Sequence, residues 1–80
     1  MGFVYVELRG PLARQVKRDG SGGRMAVQAD NGVLVREIID WLAIPQHYVG
    51  LVVVNGEKAG RETPVYEGDQ ITFFPVVSGG

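Results

Sequence analysis

The sequence predicts an α+β two-layer roll, in which one main helix covers one face of one sheet. Three observations predict it: several short segments alternate apolar and polar residues, one segment carries an apolar stripe at helical spacing, and Asn55-Gly56 marks a tight hairpin. In chain order the predicted elements are strand, strand, helix, strand, strand and strand. Because the helix must bury its apolar stripe, it has to pack against the sheet.

The first two strands are predicted at residues 3–9 and 24–29, where apolar residues recur at every second position. Gly10-Pro11 ends the first strand, and the glycine-rich segment 18–24 forms a loop before the second. The two strands therefore form a hairpin. The positions expected to face the core are Val4, Val6, Leu8, Met25, Val27 and Ala29.

The helix is predicted at residues 34–44, where apolar residues follow the i, i+3, i+4, i+7 spacing of one buried face. Pro45 is expected to end the helix, because proline cannot donate the backbone hydrogen bond of a helix interior. The buried stripe consists of Val35, Ile38, Ile39 and Leu42.

Three further strands are predicted after the helix. The segments are a buried strand at 51–54, a return strand at 57–60, a connecting loop at 61–69 and a last strand at 70–77. In the last strand, Ile71 and Phe73 are expected to face the core. Thr72 and Phe74 are expected to face outward, because successive side chains of a strand point to opposite faces.

The composition indicates one small domain, residues 1–80, without a strong electrostatic partner. The chain has 80 residues, 45% of them apolar, and a net charge of −1. It has no cysteine, which excludes disulfides, thiol catalysis and cysteine-bound metals. No signal peptide and no apolar run long enough to span a membrane are evident, so a cytoplasmic location is expected.

Four basic residues cluster in the first third of the chain: Arg14, Lys17, Arg18 and Arg24. The aromatic and glycine motifs of RNA-binding domains are missing, so we interpret the cluster as a solvated loop and expect no specific nucleic-acid partner. A small RNA-binding domain that rests on this cluster alone remains an alternative.

The side chains show none of the usual catalytic sets, which argues against an enzyme and against a bound metal or cofactor. His47 is the one histidine, and the carboxylates lack the spacing of paired acids or metal ligands. The remaining feature is a thin, flexible tail at residues 77–80. Glycine lets such a tail enter a narrow channel, and Gly79-Gly80 leaves the terminal carboxylate unhindered for activation and attack.

Several segments together resemble the ThiS/MoaD family of sulfur carrier proteins, and more closely its molybdopterin synthase small-subunit branch. These segments are Val35-Arg36-Glu37-Ile38-Ile39, Val54-Asn55-Gly56, Val65 to Pro75, and Val77-Ser78-Gly79-Gly80. The most specific part is a Gly-Asp turn, a Phe-Phe-Pro strand and a final Gly-Gly at the family's spacing. The sequence departs from the family at Leu34, where a threonine often caps the helix.

The resemblance implies the ubiquitin-like β-grasp fold, with a mixed sheet of four to five strands and one main helix on one face. In that fold the first and last strands are parallel neighbours at the centre of the sheet. Phe3 and Tyr5 should then neighbour Thr72 and Phe74 in an exposed aromatic patch beside the tail, either as a protein interface or as simple cross-strand stabilisation. The implied partner-binding residues are Phe3, Tyr5, Thr72, Phe74, Pro75, Val77 and Ser78.

The resemblance also implies a chemistry for the tail, in which Gly79 and Gly80 form the reacting arm. An E1-like adenylyltransferase of the MoeB/ThiF type uses its own Mg-ATP to adenylate the Gly80 carboxylate. A persulfide sulfur then displaces AMP, and a thiocarboxylate results. The sulfur acceptor is expected to be a molybdopterin synthase large subunit, in molybdenum or tungsten cofactor synthesis. A thiazole synthase in thiamin synthesis is the second choice, and cysteine synthesis stays open.

Two other functional classes share the fold and remain open. A protein modifier uses the same tail and the same activation to form an isopeptide bond between Gly80 and a lysine of a target. A binding module uses the fold without any tail chemistry, and it works without Gly79-Gly80.

Overall fold

The computed structural model describes residues 2–14 and 23–76. Its strands are β1 (Gly2–Leu8), β2 (Arg24–Ala29), β3 (Val33–Leu34), β4 (Val49–Val54), β5 (Glu57–Ala59), β6 (Pro64–Val65) and β7 (Gln70–Pro75). Its helices are α1 (Val35–Trp41) and two 3-10 helices, Gly10–Arg14 and Gln46–Tyr48. The sequence therefore predicted the main helix and all five longer strands.

The main sheet has five strands in the order β2-β1-β7-β4-β5. β1 and β7 pair in parallel at its centre, and the outer pairs are antiparallel. A parallel pair needs a long crossover connection, and the segment that contains α1 provides it. The mixed sheet and the central parallel pair confirm the expected β-grasp arrangement.

One face of this sheet forms the core together with α1. Across the parallel pair, Val6 lies beside Ile71 and Leu8 beside Phe73, and all four side chains are almost completely buried. The inward stripe of α1 is buried as predicted, and all buried side chains of the described residues are apolar. The residues of the core are Val4, Val6, Leu8, Leu12, Ala29, Val35, Ile38, Ile39, Leu42, Ile44, Val49, Val52, Val65, Ile71 and Phe73.

The end of α1 differs from the prediction, because the helix ends at Trp41 and not beside Pro45. Ala43 adopts a left-handed backbone with φ of 61°. The Ala43 amide donates to the Asp40 carbonyl, and the Ile44 amide donates to the Ile39 carbonyl. These two bonds form a Schellman motif, with alanine where glycine is usual. At the other end, the Leu34 amide donates to the Glu37 carboxylate over 3.0 Å, so α1 keeps half of a capping box without a capping threonine.

Two further predictions need correction. The predicted loop 61–69 contains β6, which pairs antiparallel with β3 in a separate two-stranded sheet. Strands of two residues show no alternation, so the sequence gives no signal for them. The strand predicted at 51–54 begins earlier, at Val49, and it is not buried throughout, since Leu51 is 38% exposed.

The left-handed turn after α1 generates a stability prediction. Ala43→Gly should raise the free energy of unfolding by about 1 kcal/mol, because glycine adopts positive φ without a steric cost. The matched control, Ala26→Gly, lies in the extended strand β2 and should lower the free energy by about 0.5–1 kcal/mol. Urea denaturation measures both values, and destabilisation by both substitutions would contradict the Schellman geometry.

Candidate functional site at the root of the tail

The described part of the candidate site begins where β7 ends. Pro75 is the last residue of β7, and Val76 follows it; we call these two residues the tail root. The predicted site residues Val77, Ser78, Gly79 and Gly80 lie outside the described residues. The structure therefore defines how the tail root is held and what surrounds it.

Strand β4 holds one side of the tail root through a β-bulge. Val49 pairs with Pro75 and Leu51 with Phe74, so Gly50 is an extra residue in the ladder. A Cβ atom at Gly50 would lie 2.9 Å from both the Pro75 carbonyl oxygen and the Val76 Cα. Glycine is required here because the two backbones approach too closely for any side chain.

A hydrogen bond to the second 3-10 helix fixes the direction of the tail root. The Val76 amide donates to the carbonyl of Tyr48 over 3.1 Å. This bond continues the contact between β4 and β7 by one residue past the end of β7. It is the last described attachment of the chain before the predicted tail.

The first 3-10 helix flanks the other side of the tail root. The Arg9 amide donates to the Phe73 carbonyl over 3.0 Å, and the chain then turns at Gly10 with φ of 56°. A Cβ atom at Gly10 would lie 3.6 Å from the Pro75 ring. The tail root therefore leaves the sheet between two short helical turns.

A shallow hollow of about 200 Å³ opens beside the tail root. Its residues are Pro11, Leu12, His47, Tyr48, Pro75 and Val76. The rings of His47 and Tyr48 meet edge to face, with centroids 4.7 Å apart. Sequence reasoning missed this hollow and assigned no role to His47, because the three lining segments lie far apart in the chain.

The aromatic patch on the outer face is arranged differently from the prediction. Tyr5 lies beside Gln70, and the neighbour of Thr72 is Glu7. Phe3 lies before the start of β7, where its carbonyl accepts from the Gly68 amide. The predicted adjacency of Phe3 and Tyr5 to Thr72 and Phe74 is therefore wrong, because strand alternation determines the face of a residue but not the register between strands.

Phe3 and Tyr5 consequently lie towards the opposite end of β1 from the tail root. They are 48% and 51% exposed, so they form an accessible surface of their own. The outer face near the tail root is instead formed around Phe74. Its cross-strand partner is Leu51.

A guanidinium group also contacts Phe74. The Arg9 Cζ atom lies 5.6 Å from the centroid of the Phe74 ring, within cation–π range. Glu7 lies 3.5 Å from Arg9 and 3.8 Å from Arg24, in exposed ion pairs that contribute little to stability. The tail end of the outer face thus combines an apolar surface with two arginines that share one carboxylate.

Among residues 2–14 and 23–76, no group of histidine, aspartate and glutamate side chains could hold a metal ion. In the same part of the chain, no helix combines the length and the apolar character needed to span a bilayer.

The fold and the tail root define this protein as a ubiquitin-like β-grasp domain. The ThiS family model matches residues 12–80, and the chain belongs to that family. The resemblance to ThiS/MoaD proteins is therefore confirmed. A search of curated proteins found no match.

Several solved structures share this fold. The chain is similar to the small archaeal modifier protein SAMP1 from Haloferax volcanii, with a TM-score of 0.74 and 26% identity over 99% of this chain and 100% of that one. A putative molybdopterin converting factor subunit 1 from Pyrococcus furiosus has a TM-score of 0.71 and 16% identity over 96% and 100%. A chain in the complex of subunits 1 and 2 of the molybdopterin-converting factor from Helicobacter pylori 26695 has a TM-score of 0.60 and 23% identity over 98% and 99%.

The bulge at Gly50 generates the second prediction. Gly50→Ala should lower the free energy of unfolding by about 1–3 kcal/mol, because the new methyl group collides with backbone atoms of the tail root. It should also remove the protection of the Val76 amide against hydrogen exchange.

The matched control for this prediction is Gly60→Ala, since a Cβ atom at Gly60 meets nothing within 4 Å. It should change the free energy by less than about 0.5 kcal/mol. Urea denaturation and amide exchange measure both variants. If both variants have the same free energy of unfolding and the same exchange rate at the Val76 amide, the close approach at Gly50 has no energetic consequence.

Proposed function

We propose that this chain is a sulfur carrier protein, whose Gly80 carboxylate is adenylated by an E1-like partner and converted into a thiocarboxylate that donates sulfur in cofactor biosynthesis. One observation supports this most strongly: the ThiS family match runs over residues 12–80 and so includes the glycine tail. The rigid attachment of Val76 supports it further. A tail that starts from a fixed direction loses less conformational freedom when it enters a partner's channel.

The proposed reaction starts from a carboxylate, which is a poor electrophile. A carboxylate oxygen of Gly80 attacks the α-phosphorus of ATP, pyrophosphate leaves, and an acyl-adenylate forms. The terminal sulfur of a persulfide then attacks the acyl carbon and AMP leaves. A second thiol attacks the resulting disulfide, which releases the Gly80 thiocarboxylate and leaves the new disulfide on the partner protein.

In this scheme the chain itself is a carrier and not an enzyme. It contains no cysteine, so the persulfide and the second thiol belong to other proteins. ATP and magnesium belong to the activating enzyme, and we propose no cofactor bound to this chain. The chain contributes Gly79 and Gly80 as the reacting arm, and we place the process in the cytoplasm.

The proposed docking surface follows from the geometry of the tail end. Phe74, Thr72 and Pro75 lie at or near the tail root, and we propose that Val77 and Ser78 continue the same surface. Phe3 and Tyr5 are exposed on the same face but farther away, so we propose them as the outer part of a larger interface. An E1-like adenylyltransferase and a sulfur acceptor are the two partners of this surface.

We propose a molybdopterin synthase large subunit as the first choice of acceptor. A Helicobacter pylori structure of similar fold is a protein-protein complex of subunits 1 and 2 of the molybdopterin-converting factor. A thiazole synthase in thiamin synthesis is the second choice.

A second candidate function is a ubiquitin-like protein modifier. The specific observation that favours it is the 26% identity to SAMP1 over nearly the whole length of both chains. A modifier shares the adenylation step. Its activated Gly80 carbonyl is then attacked by a lysine amine of a target, and an isopeptide bond forms in place of the thiocarboxylate.

Removal of the tail tests the proposal. The protein is incubated with the E1-like enzyme of its host, Mg-ATP and a persulfide donor. Intact-mass spectrometry should then show a gain of roughly 16 Da, and fragmentation should place it at Gly80, because methionine oxidation adds nearly the same mass. Deletion of Gly79 and Gly80 should abolish the gain without changing the urea midpoint, since residues 2–14 and 23–76 form the described core without them.

The control is Glu57→Gln, an exposed change in β5 that leaves the tail intact and should leave the mass gain unchanged. A truncated protein that still supports cofactor synthesis would refute the sulfur-carrier proposal. Gly80 found in amide linkage to lysines of other proteins would favour the modifier.

A further inference from the structure

The side chain of Arg61 makes three hydrogen bonds to Gln46 and Val49, which are distant from it in the sequence. It lies in the turn after β5, and its side chain is partly buried. Its Nη2 atom donates to the carbonyls of Gln46 and Val49, each over 2.7 Å. Its Nε atom donates to the Gln46 side-chain oxygen over 3.2 Å. All three acceptors are uncharged, so these contacts hold a backbone segment and do not form an ion pair.

The segment that Arg61 holds is also tied to α1. The Gln46 side-chain amide donates to the Arg36 carbonyl over 3.0 Å and to the Asp40 carboxylate over 2.9 Å. The Arg36 amide in turn donates to the Arg61 carbonyl over 3.0 Å. Gln46 is therefore fixed from both the helix and the turn that carries Arg61.

This segment is the one that holds the tail root. The two carbonyls bound by Arg61, on Gln46 and Val49, lie on either side of Tyr48. The Tyr48 carbonyl accepts from the Val76 amide, and Val49 pairs with Pro75 at the start of the bulge. One guanidinium group thus fixes the backbone on both sides of the last described attachment of the tail root.

We infer that Arg61 is a positioning residue for the tail: it sets the direction in which the reacting arm leaves the sheet, and so prepares the arm for the adenylating enzyme. The inference rests on the proposed function. Arginine suits this role because its planar fork offers several donors in fixed directions, whereas a lysine ammonium is a point charge on a flexible stem. A tail root that is already ordered needs less ordering when the partner binds.

The test compares Arg61→Lys with Arg36→Lys, the same substitution at a control site. The Arg36 side chain is about half exposed, and its hydrogen bond goes to Glu62 over 3.1 Å and not to a carbonyl of the segment 46–49. Hydrogen exchange of the Val76 amide should accelerate about tenfold in Arg61→Lys and stay unchanged in Arg36→Lys. The Arg9 amide, which donates to Phe73 on the opposite side of β7, is the internal reference and should not change.

The second readout is ATP–pyrophosphate exchange by the E1-like enzyme of the host, with the carrier concentration varied. Arg61→Lys should raise the KM for the carrier roughly fivefold and leave kcat unchanged, because the variant tail must be ordered on binding but reacts normally once bound. Assays well below the unfolding temperature exclude a simple loss of folded protein. A merely structural role would lower stability and leave KM unchanged.

Faster exchange at Val76 together with a raised KM would establish the role of Arg61. If the hydrogen exchange of the Val76 amide is unchanged in Arg61→Lys, the inference is overturned. It is also overturned if that amide exchanges faster while the KM for the carrier stays unchanged. If the wild-type chain supports no pyrophosphate exchange at all, the proposed function fails instead. In that case, hydrogen exchange of the Val76 amide in Arg61→Lys decides by itself whether Arg61 holds the tail root.

Discussion

The parallel pairing of β1 with β7 is the interaction on which the rest of this structure depends. It places Val6 beside Ile71 and Leu8 beside Phe73 at the centre of the core, where burial of each side chain contributes on the order of 2 kcal/mol. A parallel pair forces the intervening chain to cross one face of the sheet. This crossover carries α1, and on the opposite face Phe3, Tyr5 and Leu51 are exposed.

The same pairing determines where the tail begins. Because β7 runs in the direction of β1, it ends at the edge of the sheet where β1 ends and the first 3-10 helix starts. The antiparallel neighbour β4 begins at this edge, and its bulge at Gly50 admits the backbone of Val76. The tail root is therefore held by the same strands that build the core, which fixes the point from which the predicted tail continues.

Two segments that carry the family resemblance, Asn55-Gly56 and the Gly68-Asp69 turn, have a structural role at the opposite edge. The Asn55 side chain donates to Asp69 and accepts from the Gln70 amide, each over 3.0 Å, and Asp69 accepts from the Tyr66 amide. These bonds join the Asn-Gly hairpin to the turn that begins β7. The Gly-Asp turn thus fixes the start of the strand whose far end presents the tail.

The sequence by itself determined α1, the five longer strands, the inward faces of β1, β7 and α1, and the family, because alternation, helical spacing and turn residues act over a few neighbouring positions. Only the tertiary structure decided that Tyr5 lies beside Gln70, that His47 borders the tail root, and that Arg61 holds the segment around Tyr48. These features depend on register and on contacts between residues that are distant in the chain. No local pattern encodes either, since a side chain's spacing along its strand indicates its face and not the residues it will meet.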